Sequence, residues 1–399
     1  MTLSHHNRQH STRIGTATED NFSPETRSHL SEKGLERNRF DGFDYFTCLM
    51  TIVLIGLGIL TIYSATYNPE ATSWLTGYCR RQLIWVGSAL VIGTILFLFH
   101  YNVLYQAAYP LYGIGIILLL AVEMAGSTHM GATRWLTLGN FSVQPSEFTK
   151  LTVILALARF LSNRRLPPPY NLKELITPAI IIALPAALIL KQPDLGTAML
   201  IILISGVIIF IAGITRGTII TLGLSALTAA AVGWQFLHDY QRQRILTFMN
   251  PEKDPLGSGY HIAQSKIAIG AGKLFGKGFL KGTQNSLHFL PEQHTDFIFA
   301  AYAEQWGFLG VLILLAIYFL FLLRALNIAM EARDSFGSYL ATGIAAIFFW
   351  QVTINIGMVS GLMPVVGIPL PLFSYGGTSM LTSIALISIL LNIHYRRKG

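Results

Sequence analysis

Apolar and polar positions along this chain alternate on one dominant length scale. After a polar stretch over residues 1–42, runs of about 20 apolar residues recur between short polar breaks. Each run is long enough to cross a hydrocarbon core as a helix with its backbone bonds satisfied internally. The pattern predicts about ten spans, near residues 45–65, 82–100, 105–125, 146–162, 174–190, 196–213, 218–237, 296–323, 338–359 and 374–393. Alternation at a period of two, the mark of barrel strands, is not seen. The expected fold is an all-α polytopic membrane protein. A disordered cytoplasmic tail over 1–42 precedes a transmembrane domain over 43–399, which carries a large outer loop over 238–293 between spans seven and eight.

Charge fixes the expected orientation. An even number of spans puts both termini on one side, and Arg164, Arg165, Arg216, Arg324, Arg333, Arg396, Arg397 and Lys398 gather there. Cytoplasmic loops carry the Lys/Arg excess, so both termini are expected in the cytoplasm, although Arg80 and Arg81 fall on the opposite side. Much of the net charge of +8 is then topogenic, and it does not by itself identify an acidic partner. His5, His6 and His10 belong to the solvated tail, which has no apolar run that would make a signal peptide. Cys48 and Cys79 have neither metal-ligand spacing nor a sequence context for a disulfide.

With this orientation every structured non-helical stretch faces outward: Ser127 to Gln144, the turn Gln192-Pro193-Asp194-Leu195-Gly196, the 238–293 loop, and Gly361 to Gly377. The long loop is rich in cations, among them Arg242, Arg244, Lys266, Lys273, Lys277 and Lys281, which suits an anionic lipid or a diphosphate as well as plain contact with phospholipid headgroups. Within it Tyr260 to Ala271 predicts a short amphipathic helix, with Ile262, Ile267 and Ile269 toward the bilayer and Gln264 and Lys266 toward water. Its many glycines form no phosphate-loop signature, which argues against a nucleotide site. The loop ends on Asp296 at the mouth of an apolar helix, where a carboxylate either caps the helix or serves as a base. Glu304, two turns further in, is a second intramembrane carboxylate. Glu147 and Lys150 lie three apart on one face of a helix started by Pro145 and Ser146, suited to pairing or to a ligand. Asp194 reads equally as a cap or a ligand, with Lys191 across the same turn. The Pro- and Gly-rich run Pro364 to Gly377 is too broken for a plain helix and implies a groove.

Four of these stretches carry a resemblance that covers nearly the whole chain after the tail: Gln144-Pro145-Ser146-Glu147, Gln192-Pro193-Asp194-Leu195-Gly196, Leu290 to Ala300, and Leu370-Pro371-Leu372-Phe373-Ser374-Tyr375-Gly376-Gly377. In this order they resemble the shape, elongation, division and sporulation (SEDS) family of peptidoglycan glycosyltransferases. Asp239 to Arg244, Asp254 to Ile262, Lys277-Gly278 with Gly282-Thr283-Gln284, and Val365 to Pro369 look most like its elongation branch. Lys273 stands where that pattern leads us to expect glycine.

The resemblance implies an enzyme that joins lipid II units on the outer face of a bacterial cytoplasmic membrane during elongation and rod-shape maintenance. Asp296 matches the family's essential outer-loop aspartate and is expected to act as the catalytic base. Arg134, Glu147, Lys150, Asp194, Arg242, Arg244, Lys266, Lys277 and Ser374 are the expected substrate contacts. A divalent cation, Mg or Mn, is compatible with the leaving diphosphate, at a site the sequence does not identify. The implied partners are lipid II, a class B penicillin-binding protein, elongation-complex proteins and the membrane, with no nucleic acid. Two other readings stand beside this one within or near the family: a division-branch polymerase, and a flippase for lipid II motivated by the broken helices and Glu304. An ion-coupled transporter predicts an inverted repeat, which is not found.

Overall fold

In the computed structural model the described residues are 42–67, 75–129, 132–138, 141–163, 168–236, 239–250, 254, 257–282 and 293–398. The predicted tail, apart from Gly42, and the cations Arg164, Arg165 and Lys253 lie outside them. Ten long helices answer to the ten predicted spans: α1 (Tyr45–Ala65), α2 (Gly77–Leu98), α3 (Asn102–Ala125), α4 (Pro145–Ser162), α5 (Ile176–Lys191), α6 (Leu195–Ala212), α7 (Arg216–Gly233), α10 (Ile298–Met330), α11 (Ser335–Val359) and α12 (Gly377–Tyr395). Between α7 and α10 lie α8 (Asp239–Met249) and α9 (Ser258–Ala271).

Among the described residues nine helices are long and apolar enough to cross a membrane; α4 is the exception. Its 18 residues carry Glu147, Lys150 and Arg159. The physical reason is its place in the bundle. Leu151, Val153 to Ala158 and Leu161 are all buried, with α3, α5, α6, α11 and α12 packed around them. A span surrounded by protein need not be uniformly apolar, provided its charges are paired. Lys150 donates to Glu147 at 2.7 Å, and Arg159 donates to the Gln106 carbonyl while lying over the rings of Tyr105 and Tyr109. At the other extreme, α7 presents nearly all of its apolar surface outward, as a lipid-facing helix does.

The structure adds a small antiparallel sheet that periodicity does not announce. β1 (Ser127–His129), β2 (Ala132–Leu138) and β3 (Phe141–Val143) form a meander between α3 and α4, pairing Thr128 with Thr133 and Thr137 with Ser142. The strands are too short for alternation to register as a pattern. The amphipathic helix predicted at Tyr260 is present as α9, but Ile262 faces protein and is buried, while Ile267 is half exposed.

The end of the bundle carrying the C-terminus is stapled by ions. Asp44 caps α1 by accepting from the Thr47 N–H and hydroxyl, and Arg324 of α10 donates to the same carboxylate at 2.8 Å. The Nη2 of the same guanidinium lies 3.2 Å from Nε2 of the buried His394 ring of α12. Burial alone pushes the Asp44 carboxyl up; the hydrogen bonds from Arg324 and Thr47, with the guanidinium charge, outweigh it and hold the group below its ordinary 3.8. A depressed carboxylate stabilises the fold fully above its unfolded value and loses that contribution as pH falls through the folded one.

Asp44→Ala is expected to destabilise the detergent-solubilised protein by about 3 kcal/mol near neutrality, because it leaves Arg324 without its main anion. Thermal unfolding of the two proteins should converge as pH falls below 3.8, where the parent carboxyl loses its charge.

Candidate active site

Helices α4, α6, α10 and α12 all begin at the same end of the bundle, and side chains tie their starts together. The Gln144 N–H, at the cap of α4, lies 3.4 Å from the Thr378 hydroxyl in the first turn of α12, and its side-chain amide lies 3.5 Å from Asp194 at the cap of α6. Helix N-termini expose unpaired N–H groups and the positive end of the dipole, so a cluster of them favours an anion.

The broken run Pro364 to Gly376 passes across this cluster, and each of its turns is held. The Arg244 guanidinium donates to the Val365 carbonyl at 3.2 Å, and Asn355 of α11 donates to the Ile368 carbonyl at 2.8 Å. Tyr318 of α10 donates to the Pro371 carbonyl at 2.7 Å. The buried Gln82 of α2 uses both ends of its amide, donating to the Ser374 carbonyl and accepting from the Gly376 N–H, each at 3.3 Å. Gly196 at the start of α6 lets the run approach closely: a Cβ there would stand 2.7 Å from the Val366 carbonyl oxygen.

Asp296 lies against the same run. Phe297, not Asp296, occupies the cap position of α10, and no side chain caps that end. The Asp296 carbonyl accepts from the same Asn355 amide at 2.9 Å. One carboxylate oxygen reaches to 3.4 Å from where a Cβ would stand on Gly367, whose φ of +73° suits glycine. His294, two residues earlier, accepts from the Tyr375 N–H at 2.9 Å, and its ring meets those of Tyr78 and Tyr375. Val365 and Gly367 are two residues apart, so the contacts of Arg244 and Asp296 on this run are separated by at most about 7 Å of chain.

On the Arg244 side a small cleft is lined by Arg134, Pro193, Gly196, Gln241, Arg244 and Val365, among others. Arg134, on β2, stands 3.8 Å from the Asp194 carboxylate and donates to the Pro193 carbonyl. The site thus sets two guanidiniums at one part of this wall and a partly buried carboxylate further along it.

The other expected contacts divide. Glu147 and Lys150 form the buried pair described above, in the first two turns of α4. Asp194 is a helix cap, accepting from the Thr197 N–H and hydroxyl at 3.1 and 2.9 Å. Arg242 donates to the Trp234 and Gln235 carbonyls and does not line the cleft. Lys266 is exposed and lies against Gly361, where a Cβ would stand 2.7 Å from its ammonium. Lys277 is ion-paired with Glu304 at 2.7 Å. Ser374 is buried, with its hydroxyl accepting from the Leu370 N–H at 2.8 Å, so it shapes the turn. Among the described residues no group of three or more His, Cys, Asp and Glu side chains is gathered as for a metal.

Sequence reasoning missed Gln82 and Asn355, the two amides that hold the wall. The signal was present: a lone Gln early in α2, and Gln351 with Asn355 one turn apart within apolar α11.

The cell cycle protein family of FtsW, RodA and SpoVE matches residues 45–399. The peptidoglycan glycosyltransferase MrdB of Escherichia coli K12 is 46% identical over 352 residues, covering 87% of this chain and 94% of its own length. A solved chain from a peptidoglycan synthase complex, described as coordinating polymerization and crosslinking, superposes with a TM-score of 0.77 at 31% identity, over 90% of this chain and 99% of that one. The rod shape determining protein RodA of Thermus thermophilus superposes at 0.67 with 28% identity, over 90% and 98% of the two chains. By family match, identity and fold, the chain belongs to the FtsW/RodA/SpoVE family of polytopic bacterial membrane proteins.

Proposed function

We propose that this protein is a peptidoglycan glycosyltransferase that polymerises lipid II into glycan strands during cell elongation, with Asp296 as its general base. The observation that carries the reading is the pairing of Asp296 and Arg244 on one wall: Asn355 fixes the Asp296 backbone to Ile368, and Arg244 is seated three residues earlier on Val365. Identity to MrdB and likeness to a rod shape determining protein support the elongation branch over the division branch.

The reaction is a single inverting displacement. Asp296 takes the proton from the 4-hydroxyl of the acceptor sugar as that oxygen attacks the anomeric carbon of the donor. The new C–O bond forms on the face opposite the α-linked diphosphate, the old C1–O bond breaks, and the polyprenyl diphosphate leaves with the electron pair. The product is a β-1,4 linkage, and no covalent enzyme intermediate is required, by analogy with inverting glycosidases. Charge developing on the leaving diphosphate is met by Arg134 and Arg244 and by the clustered helix starts. A Mg or Mn ion, if bound, would supply further positive charge to the leaving diphosphate, and among the described residues no group of three or more His, Cys, Asp and Glu side chains is gathered that would hold it.

The Lys/Arg distribution supports a site on the periplasmic side of the membrane. Arrangement in a peptidoglycan synthase complex, as in the structural relative, supports a penicillin-binding protein transpeptidase as partner. Of the two features that motivate a flippase reading, the broken helices and Glu304, the second is a fully buried carboxylate ion-paired with Lys277 at 2.7 Å.

Two outcomes test the reading in lipid II polymerisation by the purified protein with its transpeptidase. Asp296→Asn, near-isosteric but not basic, should lower the rate about 10²- to 10⁴-fold while leaving folding and complex formation intact. Parent-like polymerisation by that variant would sink the assignment. Arg244→Met should lower kcat/KM about 10- to 100-fold, the worth of a charge-assisted contact to the diphosphate.

A further inference from the structure

Helix α10 is broken at Gly307, whose φ of 64° and ψ of −166° lie in a region open essentially only to glycine. An unbroken helix would bond the Phe308 N–H to the Glu304 carbonyl and the Leu309 N–H to the Gln305 carbonyl. Here all four groups are taken by one stretch of the long loop, residues 272–278. Phe308 and Leu309 donate to the Lys273 and Leu274 carbonyls at 2.9 and 3.1 Å. The Glu304 and Gln305 carbonyls accept from Lys277 and Gly278, both at 3.0 Å. The loop is an arm wedged into two consecutive rungs of the helical ladder.

The break lies nine residues into α10, about 14 Å along its axis, where lone backbone groups would be costly. The arm fits only because it is small. A Cβ on Gly272, Gly276 or Gly307 would fall onto backbone of the opposing stretch. Lys273 takes φ +48° at the position where glycine is expected, a left-handed conformation that costs a side-chain-bearing residue something but keeps its carbonyl aimed at Phe308. One side-chain contact locks the arm: Lys277 donates to the fully buried Glu304 carboxylate at 2.7 Å.

The outer half of α10, Ile298 to Trp306, carries Asp296 just before its first turn. It is severed from the inner half at two rungs, so its orientation depends on what fills the break. The arm continues directly from α9, and α9 braces the mouth of the site: His261 stacks on Phe297 at 5.7 Å, and the Ser265 hydroxyl donates to the Val359 carbonyl at the end of α11 at 2.7 Å.

We propose that Lys277 is a positioning residue for polymerisation: through Glu304 it seats the arm in the broken helix and thereby fixes the outer half of α10 with Asp296 at its head. The role rests on Asp296 being the base. It differs from a substrate contact, the expectation from sequence, because the Lys277 ammonium is directed at a buried carboxylate.

Lys277→Met, Lys277→Arg, Glu304→Gln and Asp296→Asn, each in complex with the transpeptidase, separate the possibilities through lipid II kinetics and amide hydrogen exchange at Phe308 and Leu309. Lys277→Met should lower kcat about 10- to 100-fold, with KM held within about twofold, and should speed exchange at both amides. Lys277→Arg, which keeps the charge, should recover much of each effect. Glu304→Gln, which keeps the shape, should move both readouts in the same direction as Lys277→Met and stands in for it should that variant fail to fold. A raised KM at parent kcat would mean a substrate contact and would overturn the proposal, as would parent-like kcat or unchanged exchange. A fully active Asp296→Asn would overturn the underlying reading and this role with it. An inactive Asp296→Asn beside a fully active Lys277→Met would overturn this role alone.

Discussion

Backbone that leaves helical geometry inside an apolar bundle must find its hydrogen bonds in protein, and this constraint organises the molecule. It is met twice. The run Pro364 to Gly376 is held by side chains from four helices: Arg244 on α8, Gln82 on α2, Tyr318 on α10 and Asn355 on α11. The break in α10 is filled by the arm that follows α9. Both devices bear on Asp296, the first through its own carbonyl and the second through the half-helix it heads. If Asp296 is the base, as proposed, their effect is preorganisation: the backbone around it is already hydrogen-bonded at the wall and at the helix break before substrate arrives.

The charges follow the same logic at different depths. The buried pair of Lys150 with Glu147, and the partly exposed Lys277 on buried Glu304, keep cations and carboxylates tolerable in an apolar setting. Arg134 and Arg244 sit at the rim, each donating to a backbone carbonyl and lining a common cleft. A guanidinium carries five N–H donors in a planar fork, the geometry that matches a phosphate, which is why the proposed reaction assigns the diphosphate to these two arginines.

Much of the architecture was legible because spans are written in runs of apolar residues, and the ten predicted segments coincide with ten helices. Hydropathy alone would have dropped α4, whose three charges are admissible only because other helices enclose it. The β-meander was not legible, being made of strands too short to show a period. At the site, residue type and position singled out Asp296 and the arginines, but not what they do locally. Asp194 and Ser374 turned out to hold turns, and Lys277 to hold a buried carboxylate, since sequence gives no distances between loops. Asn355 and Gln82 were overlooked because a neutral amide in an apolar helix attracts less notice than a charge, though it can serve two partners at once.

In the proposed reaction Arg134 and Arg244 receive the diphosphate, and Asp296, further along the same run near Gly367, takes the proton. A structure of the complex with a non-reactive lipid II analogue tests it most directly. The diphosphate is expected within hydrogen-bonding reach of Arg134 and Arg244, and an acceptor 4-hydroxyl about 2.6–3.2 Å from the Asp296 carboxylate. A diphosphate seated away from both arginines, with Asp296 facing no sugar, would contradict it.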